Sequence, residues 1–342
     1  MISTKNKEFI VEYRPTSIRA ARVSSLKPPV VVEELFSCSL NQDETDASTM
    51  REFAKIKQNA YMMSHCTIYP ERRTVRRVTI DSGRGKETDF IFDLLKNELK
   101  TEADDVTAFC LSPESGAEID PSEYNKKNVL VCAAAKEEIL DIQQSLLKIG
   151  VYPRRAEIGT ISLIGIIKEA VAAEKASQPI LFLEVEDEFS SAIIVGPEGI
   201  EMSRRIDTGY AHIASALKLE LNLKDEDAAE KLLASTDFDF GSFSKTILKK
   251  MIRELQSSIG FFEVQTGQSI SSLHCVRHHS NLNWFQDSLS QELNLDAFNL
   301  DISSWLKSKN IKLSENESTK NLDLTWLGLL SLLCEFEKEK AA

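Results

Sequence analysis

The stretch QPILFLEVEDEFSSAIIVGPEGIEMSRRIDTGYAHIASA, residues 178–216, contains three short strand patterns followed by a helix pattern. Residues 180–185 and 192–195 are apolar and rich in strand-forming side chains, and residues 200–206 alternate after a Gly-Pro-Glu-Gly turn. Asp207 and the threonine after it offer a helix N-cap. The stretch therefore predicts a βββα unit.

The same unit is predicted near the start of the chain. Residues 9–12, 17–23 and 30–38 have strand patterns, and residues 47–62 have a helix pattern. The two copies lie about half the chain apart, which indicates an internal duplication. We therefore expect an α/β protein with two similarly built domains facing each other across a cleft.

Between the two copies, strand and helix patterns alternate, which is typical of a small α/β subdomain. The predicted strands are 74–80, 106–111 and 129–134, and the predicted amphipathic helices are 87–100 and 136–149. A connecting strand at 154–158 and a mostly apolar helix at 160–174 follow. The sequence thus predicts a first domain at 1–175, with the subdomain inserted at about 74–158.

The remaining chain, 176–342, is predicted to form the second domain. Its expected elements after the second βββα unit are helices at 221–233, 243–266, 284–293 and 324–336 and a strand at 273–277. The last of these helices is expected to pack back near the interdomain cleft.

The composition limits the possible partners and the compartment. The 342 residues carry 53 acidic and 41 basic side chains, a formal net charge of −12, which argues against binding nucleic acid or an anionic membrane. No apolar run approaches the ~18 to 20 residues of a membrane helix, and the first residues lack a signal-peptide core, so we expect a cytoplasmic protein. The six cysteines are scattered without a CxxC pair, which favours free thiols over disulfides or a metal cluster.

Two clusters contain side chains that can bind metals. The acidic cluster consists of Glu184, Glu186, Asp187 and Glu188. Oxygen ligands of this kind suit Mg²⁺ or Ca²⁺, but a solvent-exposed hairpin turn is the favoured interpretation. The second cluster consists of His274, Cys275, His278 and His279. Its spacing matches no closed zinc site, so no metal is predicted.

Two groups of basic residues and a pair of serines are further candidate sites. The run of Arg72, Arg73, Arg76 and Arg77 could bind an acidic partner, but alternating strand positions favour a solvated face. Ser190 and Ser191 have no His and acid partner that the sequence can place, so nucleophilic catalysis is not supported. Structural salt bridges are expected for Arg204 and Arg205.

Four segments carry a resemblance to a known family. They are VLVCAAAKEEILDIQQSLLKIGVYPRRAEIGTISLIGII (129–167), LFLEVEDEFSSAIIVGPEGIEMSRRIDTGY (181–210), IRELQSSIGFFE (252–263) and TWLGLLSLL (325–333). Together with the duplicated unit, they resemble the type IV pilus assembly proteins of the PilM family, relatives of the division protein FtsA. The resemblance implies an actin-like fold, that is, a duplicated ribonuclease H-like βββα unit with an inserted small α/β subdomain.

The sequence departs from this resemblance where relatives bind nucleotide. Nucleotide-binding members carry an Asp-x-Gly sequence in the first hairpin turn of each half, because glycine lets backbone N–H groups close around phosphate. At the two hairpin turns this sequence has Tyr13 and Arg14 in the first and Glu186, Asp187, Ser190 and Ser191 in the second. In the adenine-side loop, where relatives usually have two glycines, it has His278 and His279. Carboxylates without glycine repel a polyphosphate unless a metal neutralises them. We therefore expect degenerate nucleotide loops, no enzyme activity and no cofactor, with ATP and Mg²⁺ as the disfavoured alternative.

The resemblance also implies a partner. In the PilM family a groove in the first domain receives the N-terminal cytosolic peptide of PilN, a bitopic membrane protein. The groove is expected between residues 74–80, 87–100 and 154–158. Its candidate residues are Val78, Ile80, Phe90, Leu94, Arg154 and Arg155. The implied protein is a non-catalytic scaffold, held peripherally at the inner face of the inner membrane through PilN-like and other pilus platform proteins.

Three other functions stay open at this point. The chain could be an ATP-binding actin-like ATPase of pilus assembly or cell division, or a sugar-kinase relative, using unusual loops. An FtsA-like filament protein needs a membrane-targeting C-terminal helix, which EFEKEKAA does not supply. The cytoplasmic half of a GspL-type secretion protein also fits the expected fold.

Overall fold

The computed structural model describes residues 8–40, 44–79, 95–96, 105–120, 128–173, 178–197, 199–235, 237–276, 283–320 and 322–333. The chain forms two compact units. The first consists of Met1–Ile166 together with Asp301–Ala342, and the second of Ile167–Leu300. Both units contain the predicted βββα unit.

The first unit is built on a six-stranded sheet with the order β14-β3-β2-β1-β4-β8. Its strands are β1 (Glu8–Arg14), β2 (Ser17–Val23), β3 (Val30–Ser39), β4 (Met62–Ile68), β8 (Val151–Ile158) and β14 (Ile311–Leu313). The first three strands pair antiparallel, whereas β4, β8 and β14 are added in parallel. This mixed order follows from the hairpins at the start and the helical crossovers afterwards.

Two helices cover one face of this sheet. They are α1 (Glu44–Ala54) and α2 (Lys136–Lys148), and their apolar side chains join those of β1 and β4 in one core. Alternate residues of β1, such as Phe9 and Val11, point into this core. Helix α1 is shorter than the predicted 47–62, because Lys55 has a positive φ of 54° and Met62 already belongs to β4.

A separate three-stranded antiparallel sheet has the order β5-β7-β6. Its strands are β5 (Arg73–Thr79), β6 (Val106–Leu111) and β7 (Asn128–Ala135). The predicted insertion at 74–158 extends too far, because β8 pairs with β4 of the large sheet and α2 packs on that sheet's core. Only residues 95–96 of the predicted helix 87–100 lie within the described residues, and Leu95 is buried against the small sheet.

The second unit is built on a five-stranded sheet with the order β11-β10-β9-β12-β13. Its strands are β9 (Ile180–Val185), β10 (Ser190–Gly196), β11 (Gly199–Ile206), β12 (Ser272–Val276) and β13 (Asp296–Ala297). Helix α3 (Gly159–Ala173) follows β8 and contains the boundary between the units. The helices after it are α4 (Tyr210–Leu221), α5 (Glu226–Leu233), α6 (Ser244–Ile247), α7 (Lys249–Thr266) and α8 (Asn283–Leu293). The predicted helix 243–266 is therefore divided, with Leu248 between α6 and α7.

The end of the described chain belongs to the first unit, so the predicted second domain at 176–342 extends too far. Helix α9 (Ile302–Ser308) leads into β14, which pairs with β3. The predicted helix 324–336 consists of a 3₁₀ turn (Leu324–Trp326), the short α10 (Leu327–Leu330) and a second 3₁₀ turn (Ser331–Leu333), packed on β1, β2 and β4. A further 3₁₀ turn is Glu317–Thr319.

None of the helices in the described ranges combines the length and the apolar character needed to cross a membrane.

Candidate functional site

The hairpin turn between β1 and β2 is the first of the two predicted nucleotide-binding positions. The strands pair as far as Arg14 opposite Ser17, which leaves Pro15 and Thr16 in the turn. Tyr13, a predicted position of the degenerate loop, is only 3% exposed and packs into the sheet's core. Arg14 is also buried, and its guanidinium lies 3.6 Å from the centre of the Tyr69 ring.

A group of polar side chains lies beside this turn, and we call it the first-turn cluster: the buried Glu12, Arg14 and Tyr69 and the half-buried Arg19. Glu12 is 2% exposed and accepts hydrogen bonds from the Tyr69 hydroxyl at 3.1 Å and from Arg19 Nη1 at 3.3 Å. Arg14 Nε lies 3.7 Å from Glu12 Oε1. A buried carboxylate is stable only when it is paired in this way. The cluster therefore supplies its own counter-charges.

Two glycines allow the chain to close tightly over the first-turn cluster. A Cβ atom at Gly159, the first residue of α3, would overlap the Tyr69 ring. A Cβ atom at Gly328 in α10 would lie 2.5 Å from Glu12 Oε1 and 2.7 Å from the Tyr69 hydroxyl. The space over the cluster is thus filled by the protein's own atoms.

The turn between β9 and β10 is the second predicted position, and the N-terminus of α4 closes it. The amide N–H groups of Tyr210 and Ala211 donate to the carbonyl oxygens of Glu186 and Asp187, at 2.8 and 2.9 Å. A Cβ atom at Gly209 would lie 2.5 Å from both Glu186 O and Phe189 N. Free N–H groups at a helix N-terminus are the usual anion-binding groups. Here the hairpin itself takes up two of them.

The residues of the acidic cluster lie in different environments, which corrects the prediction of one exposed turn. Asp187 and Glu188 are exposed and Glu186 is half-buried, but Glu184 is fully buried. Its burial follows from its place in β9, which pairs with a strand on both sides. Phe189 was not singled out from the sequence, yet it is buried at the turn.

The predicted serines and arginines of this region lie on β10 and β11. Ser190 is buried and donates to Thr208 O at 2.7 Å, whereas Ser191 is half-buried. The predicted salt bridges are confirmed. Arg204 Nη2 lies 2.8 Å from Glu254 Oε2, and Arg205 Nε lies 3.6 Å from Asp207 Oδ1. The Arg205 guanidinium also covers the Phe189 ring at 3.6 Å.

The described residues contain no group of three or more His, Cys, Asp or Glu side chains placed to hold a metal ion. His274 is buried, with Nδ1 2.9 Å from Phe298 O, and the Cys275 amide donates to Gln286 Oε1. His278 and His279 lie outside the described residues. The five described cysteines are free thiols, and burial raises the pKa of Cys66 to about 12.

The arginine run does not form one solvated face, as the sequence had predicted. Arg73 is buried at the start of β5, where its Nε donates to Thr160 Oγ1 at 2.9 Å and its Nη1 to Pro70 O at 2.9 Å. Arg72 binds two carboxylates of α2, and these hydrogen bonds raise the pKa of Arg72. The two arginines therefore attach the small sheet to α2 and α3.

A cleft of about 1280 Å³ lies within the first unit, between the small sheet and the large one. One face of β6 and β7 forms its floor. The side chains of that floor are Thr107, Phe109, Leu111, Cys132 and Ala134. They are contiguous because β6 and β7 pair with Thr107 opposite Ala134 and Phe109 opposite Cys132.

Strand β8 forms the opposite wall of the cleft. Four consecutive residues of β8, 155–158, line the cleft. Successive side chains of a strand point to opposite faces, so a cleft that contacts all four residues lies along the edge of the strand. In the described part of the chain no strand pairs with this outer edge of β8. Pro153 is typical of such an edge position. The lining also includes Leu26, Lys27, Ile139, Ile161, Ser162 and Leu332.

The charges around the cleft are mixed. Lys27 and Arg155 are basic and Glu118 and Glu157 are acidic, and Arg155 Nε lies 2.7 Å from Glu157 Oε1. Burial lowers the pKa of His65, and the positive charges of Arg155 and Arg154 lower this pKa further. The cleft therefore suits an uncharged or weakly charged ligand more than a polyanion.

The predicted groove residues are only partly found at this cleft. Arg155 lines it, and Arg154 is exposed beside it, with Nη1 3.7 Å from Glu8 Oε2. Val78 faces away, packed with Leu95 on the other side of the small sheet. The floor of the cleft thus comes from β6 and β7 rather than from the predicted 74–80. Ile80, Phe90 and Leu94 lie outside the described residues.

No protein-family model and no curated protein matches the sequence. Among solved structures, the "PilM-PilN type IV pilus biogenesis complex" is similar to this chain at a TM-score of 0.70 and 16% identity, covering 96% of this chain and 98% of that one. A Bacteroides thetaiotaomicron protein with an actin-like ATPase fold has a TM-score of 0.48 and 8% identity, with 98% and 100% covered. The cytoplasmic domain of EpsL, from the type II secretion system of Vibrio cholerae, has a TM-score of 0.41 and 11% identity, with 97% and 100% covered. The likeness to the PilM–PilN structure, along almost the whole length of both chains, confirms the predicted fold.

Proposed function

We propose that this protein is a non-catalytic scaffold of a type IV pilus or related secretion platform, and that its cleft binds the N-terminal cytosolic peptide of a PilN-like membrane protein. The observation that carries the proposal is the cleft of about 1280 Å³ between the edge of β8, with which no described strand pairs, and the apolar face of β6 and β7. Binding this peptide attaches the scaffold to the inner face of the inner membrane.

The size and lining of the cleft favour a peptide over a small metabolite. Pockets for small molecules usually enclose ~300 to 1,000 Å³, and this cleft is larger. An extended peptide can form main-chain hydrogen bonds with a free strand edge while its side chains enter apolar pockets. Phe109, which is 48% exposed on the floor, is placed to contact such side chains.

The alternative, an ATP-binding actin-like ATPase, fits the two hairpin turns poorly. A phosphate at the first turn meets the first-turn cluster, whose arginines are already paired with Glu12. At the second turn the helix N–H groups of Tyr210 and Ala211 are already bonded, and Asp187 and Glu188 repel an anion. These contacts support a scaffold role.

Peptide binding can be tested with a fluorescein-labelled synthetic peptide of the first 20 residues of the PilN-like protein from the same organism. Anisotropy titrations compare the unaltered chain with Phe109→Glu and with the control Phe261→Glu, since Phe261 is 56% exposed in the second unit. We expect binding at least about tenfold weaker for Phe109→Glu, because a charge replaces an anchor at the interface. Unchanged affinity in Phe109→Glu contradicts the cleft as the binding site.

Calorimetry with ATP and Mg²⁺ tests the alternative separately. We expect no turnover above the background of a buffer blank. Micromolar binding of ATP together with steady release of phosphate favours the ATPase and contradicts the scaffold role.

A further inference from the structure

Three large apolar side chains are exposed where β4 and β8 begin: Tyr61 directly precedes β4, and Met63 of β4 lies opposite Tyr152 of β8. Tyr61 is 49%, Met63 44% and Tyr152 44% exposed. Single exposed apolar residues are common, but adjacent ones usually mark a binding surface. We call these three residues the tyrosine shelf.

Met63 and Tyr152 of the tyrosine shelf continue the cleft along β4 and β8. Met63 lies opposite Tyr152, and two residues further His65 lies opposite Arg155, with a bulge in β8 between the two pairs. His65 and Arg155 both line the cleft. Because side chains two residues apart share a face of a strand, Met63 extends the row that His65 begins.

The distance along β8 from the cleft to Tyr152 is short enough for a peptide in the cleft to reach the tyrosine shelf with a few additional residues. From Tyr152 to Ile158 the strand rises ~20 Å, at ~3.3 Å per residue. Residues 155–158 of this strand line the cleft. A peptide that runs along the edge of β8 therefore reaches the shelf within three or four more residues.

The shelf and its neighbours indicate what such a peptide carries. Tyrosine and methionine are enriched at protein interfaces, where they pack against apolar side chains. Arg154 and Arg155 are exposed beside them, with side chains 50% and 60% accessible. Each ion pair, to Glu8 and to Glu157, uses one nitrogen, whereas a guanidinium has five N–H donors. The arginines can thus bind a further carboxylate.

We propose that the partner peptide extends beyond the cleft onto the tyrosine shelf, and that this extension carries an apolar residue next to an acidic one. The proposal rests on the function proposed above and adds a second contact surface to it. The shelf binds the apolar side chain, and Arg154 and Arg155 bind the carboxylate.

The test compares peptides of two lengths. The short peptide is the shortest segment whose affinity still falls in the Phe109→Glu variant. Each long peptide adds eight residues of the PilN-like sequence, either at the N-terminal or at the C-terminal end of the short one. We expect one long peptide to bind the unaltered chain about tenfold more tightly than the short one. In the double variant Tyr61→Ser, Tyr152→Ser, this advantage is lost while the short peptide binds as before.

The controls separate failure of the shelf from failure of the proposed function. Phe261→Ser, an equally exposed aromatic residue of the second unit, should leave both affinities unchanged. If neither extension tightens binding, or if the advantage survives in the double variant, the shelf proposal is overturned and the cleft is not affected. If Phe109→Glu leaves binding of every peptide unchanged, the proposed function fails.

A crosslinking experiment gives an independent readout. Benzoylphenylalanine at position 152 should crosslink, on irradiation, to residues of the extension, and at position 261 it should yield no crosslink. Replacing the acidic residues of the extension by glutamine should reduce the affinity in the unaltered chain but not in Arg154→Gln, Arg155→Gln. Crosslinks from position 152 only to the cleft-bound segment overturn the proposal.

Discussion

The two hairpin turns occupy the same place in the two copies of the βββα unit, but they are closed by different means. Side chains close the first, where the buried Glu12 contacts two arginines and Tyr69. Backbone atoms close the second, where the N-terminus of α4 bonds to the hairpin carbonyls. The packing of the first turn therefore depends on the ion pairs between Glu12 and the arginines, whereas the packing of the second depends on the absence of a side chain at Gly209.

Removing the charge at the first turn should have the largest effect. Glu12→Leu leaves the buried Arg14 and the half-buried Arg19 without their carboxylate, and breaking a buried pair of this kind typically costs about 3 to 5 kcal/mol. Urea unfolding monitored by circular dichroism measures the loss. Glu188→Leu is the matched control at the second turn, where the glutamate is exposed, and it should change the unfolding free energy by less than ~0.5 kcal/mol. Equal effects of both variants contradict the proposed difference between the turns.

Adding volume at the second turn should have the next largest effect. Gly209→Ala places a methyl group against the backbone of Glu186 and Phe189, and such overpacking costs about 1 to 3 kcal/mol. In contrast, apart from the backbone of its own helix and its two chain neighbours, no described atom lies within 4 Å of a Cβ at Gly260 in helix α7, so Gly260→Ala should stabilise by up to ~1 kcal/mol. Urea unfolding compares the two variants. An unchanged unfolding free energy in Gly209→Ala shows that the turn can move away from α4.

Removing one hydrogen bond from the first-turn cluster should have a smaller effect. Tyr69→Phe deletes the hydroxyl that donates to Glu12 at 3.1 Å, but both arginines remain. The expected loss is about 1 kcal/mol. The exposed Tyr152→Phe serves as the control and should be neutral in the same unfolding assay. A loss for Tyr69→Phe as large as that for Glu12→Leu shows that the hydroxyl, and not the charge, holds the cluster together.

The smallest expected effect is a pH dependence in the first unit. The pKa of His65 in the folded chain is lowered, first by burial and then by Arg155 and Arg154, whereas Glu157 and Glu8 oppose this shift. Below the unfolded value of about 6.5 the unfolded chain binds a proton that the folded chain does not. Stability is therefore lost as the pH falls through 6.5 towards the lowered pKa.

Urea midpoints of the unaltered chain and of His65→Gln, measured at pH 8 and pH 5.5, test this sign. Both proteins carry the same carboxylates, so the difference between the two chains reports the removal of His65 and of its interactions with Glu157 and Glu8. The variant should lose less stability on acidification than the unaltered chain. A greater loss in His65→Gln indicates that the histidine is stabilised in its protonated form.

The sequence was sufficient to predict the duplicated unit, because its strands are long enough to show alternation and are separated by clear turn residues. It was not sufficient for β14, whose three residues are too few to show a period and which is added through pairing with β3. The division of the long helix at Leu248 was also missed, because the apolar pattern continues across the break. These features depend on tertiary pairing more than on local preference.

The site was predicted less completely than the fold. Charged residues were expected at the surface, yet Arg73 and Glu184 are buried, because their strands place them inside the protein. The floor of the cleft could have been recognised from VTAFCL, residues 106–111, where alternation places Thr107, Phe109 and Leu111 on one face. The small sheet has two edge strands, β5 and β6. Tertiary packing decides which of them faces β8, and the residue pattern of a single strand does not show it.

The return of the chain to β3 has a consequence for synthesis on the ribosome. The Ser314 hydroxyl donates to Glu33 O across 281 residues, and β14 adds to the sheet at the same place. The second unit, in contrast, is one continuous segment and can fold as soon as it emerges. During translation the sheet that begins first is therefore completed last, and the edge of β3 is open to intermolecular pairing until then.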